Sequence, residues 1–350
     1  MRPILFPRDE LAHKSTIEWW YWNGHLHDKQ GHAYSYMDCL FKADTKKVKI
    51  PFLSKMPFPT IYFSHSLVSD IAHQKFYPVI DFVSMASKDS WTKPLLYVNY
   101  TSPFTLNTYF NNIMESPKPF QYHLKTELLD LTLTSKKPPL LEGGNGYLIL
   151  NTKKTYYYSL TRLETEGTIR IKNKTIPVKG ISWMDHQWAD VAYSKDKWTW
   201  FSVQLEDGTD LVCFEYLDKG VKNYLASFSL PNGRTVHTHD VRLTALGKSW
   251  VSPKTKTEYP LAWRIEVPSR KVDLKVEPCV KNQEMNFGAI NYWEGGLRVT
   301  GTMGGKPAKG VGFLELVGYP SMYSDYKFLK DILMETQRRF VKKSRKKLGF

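Results

Sequence analysis

Cysteine is scarce in this chain of 350 residues. Cys39, Cys213 and Cys279 are odd in number and far apart, and no Cys-x-x-Cys pair occurs. That argues against a disulfide framework and against a thiolate zinc site, and leaves the three as buried apolar filler. Long apolar runs are also missing. Nothing approaches the roughly 20 residues that cross a bilayer as a helix, and Met1 to Glu10 has no apolar stretch of the kind a signal peptide requires. The chain as written is therefore expected in the cytoplasm, or exported if a leader has been trimmed from it. Two catalytic signatures are absent as well. There is no Gly-x-Ser-x-Gly for a serine nucleophile, and the glycines from Gly301 to Gly312 lack the Gly-x-x-x-x-Gly-Lys-Ser/Thr spacing of a phosphate loop and read as a hairpin turn.

Aromatic residues, by contrast, are abundant. They make up 14% of the chain within a hydrophobic fraction of 42%, a composition that supports ordered cores and a length that allows two domains. Three segments set indole rings beside ionisable groups: Glu18-Trp19-Trp20-Tyr21-Trp22-Asn23-Gly24-His25, Trp183-Met184-Asp185-His186-Gln187-Trp188 and Tyr292-Trp293-Glu294-Gly295-Gly296. Any one of them is ordinary core filler. Three together point to a largely apolar cavity with a few polar points.

The same segments carry a family resemblance. Phe6-Pro7-Arg8-Asp9 leading into Glu18-Trp19-Trp20-Tyr21, then the Trp183 to Trp188 segment, Tyr259 to Pro268, Tyr292-Trp293-Glu294-Gly295 and Gly312 to Tyr319 occur in this order. The chain over about residues 6 to 320 resembles the AttH-like family, which includes carotenoid 1,2-hydratases (hydroxyneurosporene synthases), pericyclase-like enzymes and proteins labelled secreted hydrolases. The resemblance implies an all-β fold of two lipocalin-like antiparallel β-barrels in tandem, with a ligand cleft where they meet.

The turn signals fit an antiparallel pattern. Glu206-Asp207-Gly208, Pro231-Asn232-Gly233, Pro268-Ser269-Arg270 and Gly304-Gly305-Lys306-Pro307 each separate two runs of aromatic and β-branched residues, so the second half reads as an up-and-down barrel. The first half repeats this more roughly, and Ile50 to Pro119, rich in Pro, Ser and aromatics, reads as irregular loops with occasional strands. The expected domains are 1-195, 196-325 and a basic amphipathic helix over 326-350. In that last segment Phe328, Leu329, Ile332, Leu333 and Phe340 recur at helical steps.

Charge is concentrated in the same tail. Nine Lys or Arg against Asp331 and Glu335 give it +7 of the net +15, leaving +8 for the other 325 residues, too little to suggest nucleic acid. A helix docked on the barrel and an anchor to an anionic membrane surface both fit the pattern.

Chemistry is expected from the carboxylates and imidazoles among the indoles. In a regular strand His186 and Trp188 share one face and Asp185 the other, so only one set lines a pocket unless the strand bends near Trp188-Ala189-Asp190. The hydratases that the chain resembles protonate an isolated alkene and capture the tertiary cation with water. This calls for a buried carboxylic acid, aromatic faces and a group that positions water. The resemblance implies catalytic roles for His186 and Trp188, and offers Tyr216-Leu217-Asp218 as the accompanying Tyr-x-Asp. Catalytic candidates are thus Asp185, His186, Trp188, Glu294 and Asp218. Candidates for the ligand-binding wall are Glu18, Trp19, Trp20, Tyr21, His25, Trp198, Trp200, Tyr216, Tyr292 and Trp293. Glu18 and Glu294 have raised pKa values if their indole setting is apolar, or are paired with an Arg such as Arg264 or Arg298. His25-x-His27 and His237-x-His239 lack a carboxylate at ligand spacing, so neither a metal nor another cofactor is expected. Two readings follow: a hydratase or cyclase acting on a large hydrophobic molecule, and a non-catalytic carrier of one.

Overall fold

The computed structural model describes residues 2–48, 58–101, 112–191, 196–287 and 290–319, with Lys330 and Met334. It is almost entirely antiparallel β-structure in two large sheets. In the first, strands Lys153–Ile171, Lys174–Ala189, Ile17–His27, Ala33–Asp44, Thr60–Asp70, Lys75–Ala86, Tyr97–Thr101, Asn112–Lys118, Gln121–Lys125 and Leu129–Ser135 lie side by side in this order. Leu129–Ser135 then pairs back with Lys153–Ile171, from Ile169↔Leu129 to Leu163↔Ser135, and the sheet closes into a barrel. Closure removes the open edges that would otherwise template association.

The stretch expected to be irregular loop thus supplies four barrel strands. Its Pro and Ser residues hide them, and residues 63–69 are buried on both faces, so no alternation marks the strand Thr60–Asp70. Residues 49–57 and 102–111 lie outside the described residues, as does the expected C-terminal helix apart from Lys330 and Met334, which are helical and exposed.

The second sheet runs Thr235–Thr238, Val221–Ser229, Asp210–Asp218, Lys197–Leu205, Lys306–Val317, Ile290–Met303, Val272–Pro278, Ala262–Val267, Arg242–Leu246. All four expected hairpins form. The turns at Gly208 and Gly233 have φ of +85° and +79°, which glycine adopts without strain. Among the described residues no pairing joins Thr235–Thr238 to Arg242–Leu246, so this half is a strongly curved open sheet rather than the closed barrel its hairpins suggest.

Each sheet wraps a core of its own. Trp20, Trp22, Tyr36, Tyr122 and Tyr158 fill the barrel, and Phe201, Phe228, Tyr259 and Trp293 sit in the concave side of the open sheet. A third cluster, with Tyr21, Tyr157 and Trp183 from the first sheet and Trp200, Phe214 and Tyr292 from the second, lies between them. Gly296 permits the close approach, since a Cβ there would stand 2.9 Å from Ser35 and 3.0 Å from the His25 ring. Buried polar bonds reinforce the contact. Arg162 Nη2 and Lys137 Nζ reach Asp210 at 2.6 and 2.7 Å, and Gln204 Nε2 donates to the carbonyls of Thr161 and Ser182.

Candidate functional site

Strand alternation divides the Trp-rich segments between two places. In register, Trp20 pairs with His186 and Tyr21 with Asp185, and successive residues point to opposite faces. Glu18, Trp20, Trp22, His186 and Trp188 therefore face into the barrel, while Trp19, Tyr21, Trp183, Asp185 and Gln187 face the second sheet.

Inside the barrel, Glu18 is fully buried. Its Oε1 meets His13 Nδ1 at 2.6 Å and His186 Nε2 at 3.0 Å, and its Oε2 accepts from Lys42 Nζ at 3.0 Å. Burial drives the Glu18 pKa up, but the two imidazoles and the Lys42 charge outweigh it and hold the group down at about 2. The second nitrogen of each ring is engaged as well, His13 Nε2 with Asp9 at 3.2 Å and His186 Nδ1 with the Tyr158 hydroxyl at 3.3 Å. Trp188 stacks on His13 with ring centroids 3.8 Å apart. His13, Glu18 and His186 bring ligand atoms within 4.8 Å of one another and could hold a metal ion. Lys42 already gives the carboxylate its positive partner, however, and an added dication would face an uncompensated ammonium. The cluster accounts for itself as a buried ion-pair network.

Between the sheets lies a cleft that is partly open to solvent. Its wall is aromatic: Trp19, Tyr21, Phe41, Tyr157, Trp198, Trp200, Phe214 and Tyr216. Two carboxyls, Asp185 and Glu315, break this apolar surface, and among the described residues no cationic side chain lines it. Asp185 accepts from Trp183 Nε1 at 2.7 Å, the Tyr157 hydroxyl at 2.8 Å and the Ser159 hydroxyl at 2.5 Å. The Tyr157 hydroxyl in turn accepts from Trp200 Nε1 at 3.0 Å. Burial pushes Asp185 up to about 7 despite those donors. Among the described residues Glu315 has one donor, Trp198 Nε1 at 2.8 Å, and burial takes it to about 7 too. Glu294 stands behind them, raised well above the ordinary range by burial and by the Glu315 charge. Three carboxyls repelling one another in an apolar box cannot all be ionised at neutral pH.

Of the expected wall residues, Trp19, Tyr21, Trp198, Trp200 and Tyr216 line the cleft. The others do not. Glu18 and Trp20 belong to the barrel interior, where Trp20 stacks between His186 and Trp91. Trp293 is in the second core, its Nε1 donating to Lys281 O at 2.7 Å. His25 and Tyr292 are buried between the sheets off the cleft wall, His25 bonded to Gly312 O at 2.8 Å and Tyr292 to His65 Nδ1 at 2.8 Å. Among the catalytic candidates, Asp185 is on the wall and Glu294 just behind it. His186 and Trp188 are corrected to the barrel interior, because the strand stays regular through Ala189. Asp218 lies off the wall, held by Asn151 Nδ2 at 3.0 Å. Sequence reasoning passed over Glu315, Tyr157 and Ser159. Glu315 carried a signal, a lone carboxylate inside the apolar run Phe313 to Val317.

This arrangement sits in a fold with known relatives. A family model described as AttH-like matches residues 1–319. The chain belongs to the AttH-like family. The dehydratase asqC of Emericella nidulans is 26% identical to it over 203 residues, 54% of this chain and 57% of that protein. Kievitone hydratase of Fusarium solani subsp. phaseoli is 23% identical over 197 residues, 54% and 56% of the two chains. The match thus spans a little over half the length of these curated relatives. The crystal structure of an AttH protein from Nitrosomonas europaea superposes on this AttH-like chain with a TM-score of 0.74 at 26% identity, covering 91% of this chain and 98% of that one.

Proposed function

We propose that the protein adds water to, or removes it from, an alkene-bearing hydrophobic molecule held in the cleft between the sheets, with an isoprenoid or other polyene as the substrate class. The observation that carries this reading is the convergence of Asp185 and Glu315 on an aromatic wall with, among the described residues, no cationic side chain lining it. The names of the two curated relatives, a dehydratase and a hydratase, support the same reaction class.

The two carboxyls differ in a way that assigns their roles. Three donors stabilise the ionised form of Asp185, which suits a base that takes a proton from water. With its single donor and its like-charged neighbours, Glu315 is suited to stay protonated and act as the acid. Protonation of the alkene by Glu315 generates a tertiary cation, which the faces of Trp19, Trp198 and Trp200 stabilise without competing as nucleophiles. Water then attacks and passes its proton to Asp185. A carrier with no chemistry explains the aromatic wall but leaves the buried carboxyls without a use. The basic tail, residues 326–350, suits delivery of such a substrate from an anionic membrane surface.

The test has two steps. Mass spectrometry of the apolar molecules that copurify with the protein names candidate substrates. Those candidates and a panel of isoprenoid alkenes are then incubated in heavy-oxygen water. Enzyme-dependent incorporation of the label supports the reading, and ligands retained without any mass change would replace it with the carrier.

A further inference from the structure

We infer that Gln187 and Asp185 hold one water between them on the cleft wall, each accepting one of its hydrogens, and that Thr155 fixes the Gln187 amide for this task. Assigning it as the attacking water rests on the reading of Asp185 as the proton-accepting group of the cleft. Gln187 is then a catalytic residue and Thr155 a positioning one.

Both acceptors line the cleft. They stand two residues apart on strand Lys174–Ala189, so their side chains share a face, about 6.7 Å apart along the strand. A water that donates through both hydrogens spans about 5.5 Å between its acceptors. The strand spacing thus suits one bridging water.

The direction of the Gln187 amide follows from Thr155. The buried Thr155 hydroxyl is 3.0 Å from Trp188 O and 3.3 Å from Tyr156 O, and donates its one proton there. Toward Gln187 the same oxygen therefore only accepts. The Gln187 atom 3.1 Å from it is Nε2, since the opposite orientation would set two lone pairs against each other. That leaves the carbonyl Oε1 as the other end of the amide, and among the described residues no donor reaches it. Asp185 has matching capacity. An ionised carboxylate offers about four lone-pair sites. Ser159 at 2.5 Å and Trp183 Nε1 at 2.7 Å fill the two on Oδ1, and Tyr157 at 2.8 Å fills one on Oδ2. The Ser159 oxygen is also 3.1 Å from Oε1 of the buried Glu142, but its one proton goes to the nearer Asp185. The fourth site is on Oδ2.

A water held by both hydrogens turns its lone pairs toward the substrate. One pair forms the C–O bond to the cation that Glu315 has generated. The O–H bond on the Asp185 side then breaks, its electrons staying on oxygen and its proton passing to the carboxylate. The amide carbonyl is too weak a base to take the other hydrogen, which remains in the product hydroxyl. Dehydration runs the same steps backward.

The site is tested in crystals of the full-length protein grown without substrate in alkaline buffer, where Asp185 is ionised. The wild type should show an ordered water within about 3.2 Å of both Asp185 Oδ2 and Gln187 Oε1. Gln187→Leu and Thr155→Val should lose it, and Thr155→Ser, which keeps the hydroxyl, should retain it. No water at this position in the wild type, or one that persists in Gln187→Leu, overturns the proposal, and one that persists in Thr155→Val removes Thr155 from it. The role of the water is tested on whichever alkene of the isoprenoid panel takes up heavy oxygen. Without a held water the cation loses a proton from a neighbouring carbon to Asp185 and leaves as a shifted alkene. Gln187→Leu should lower the ratio of labelled alcohol to shifted alkene about tenfold, the effect of one lost hydrogen bond, with KM for the alkene unchanged. A merely structural defect lowers both products together, so an unchanged ratio overturns the role. The two readings fail separately. A wild type that binds this water but hydrates no alkene sinks the catalytic reading, whereas hydration without this water sinks only the bridge.

Discussion

The Tyr21 hydroxyl reaches across from the barrel to the second sheet and donates to Glu294 Oε1 at 2.7 Å, with Asn23 Nδ2 donating to the same hydroxyl at 3.1 Å. Glu294 is fully buried and its Oε2 has no hydrogen-bond partner. Among the described residues Tyr21 is its one hydrogen-bond donor. Tyr21→Phe leaves a buried carboxyl unsatisfied, which costs about 1–3 kcal/mol. Chemical denaturation should show a lower midpoint at unchanged slope, and an unchanged midpoint would mean that Glu294 finds another donor.

The cleft and the barrel network separate in their responses. Asp185→Asn and Glu315→Gln change one atom each on the cleft wall, so turnover of any substrate that the wild type converts should fall by about 10²–10⁴-fold with the fold retained. His186→Ala removes a neutral hydrogen-bond partner of the buried Glu18, which keeps Lys42 and His13, and should cost about 1–3 kcal/mol of stability. If His186→Ala keeps its stability and loses only turnover, the barrel interior is the reactive site and the cleft assignment is wrong.

That division was half legible in the sequence. Period-two alternation already placed Asp185 and His186 on opposite faces, and the hairpin turns with Gly208 and Gly233 marked the second sheet. Which face met the cleft was hidden, because both faces are buried over residues 20–24 and 182–189, where no polar stripe marks an outside. The resemblance favoured His186 and Trp188, yet inside the barrel they contact Glu18 of the neighbouring strand and His13 of the loop before it, and that loop carries no pattern. Glu142 was illegible for a similar reason. A carboxylate beside Gly143-Gly144 looks like an exposed turn until the second sheet covers it.

The tail offers a test of substrate delivery. Residues 326–350 carry nine basic residues around spaced apolar ones, and each Lys or Arg near an anionic surface is worth about 1 kcal/mol within a Debye length. Full-length protein should cosediment with vesicles of mixed anionic and neutral lipid at low salt and be released at high salt. A chain ending at residue 325 should stay in the supernatant, and equal binding by both chains would remove the tail from the scheme.

Stability should fall as pH rises from about 6.5 to 8.5. Burial holds Asp185, Glu315, Glu10 and Asp38 at about 7 and Glu142 at about 8, whereas unfolded carboxyls titrate near 4. Between those values the folded chain binds more protons than the unfolded one. The contribution of these groups is complete below pH 4 and is lost as pH passes through their folded values. Buried histidines act in the opposite direction. His25 and His186 are pushed down to about 4 and His65 to about 3 by burial, so they weaken the fold only below the normal histidine pKa near 6.5. Glu18, held at about 2, loses its contribution at still lower pH. Above pH 6.5 the raised carboxyls act alone, and each proton retained by the folded state steepens the decline by about 1.4 kcal/mol per pH unit. A melting temperature measured across this interval should drop, and less steeply in the double variant Asp185→Asn, Glu142→Gln. A flat or rising profile in the wild type would show that the cleft carboxyls are ionised in the folded protein, and with that the acid assigned to Glu315 would be lost.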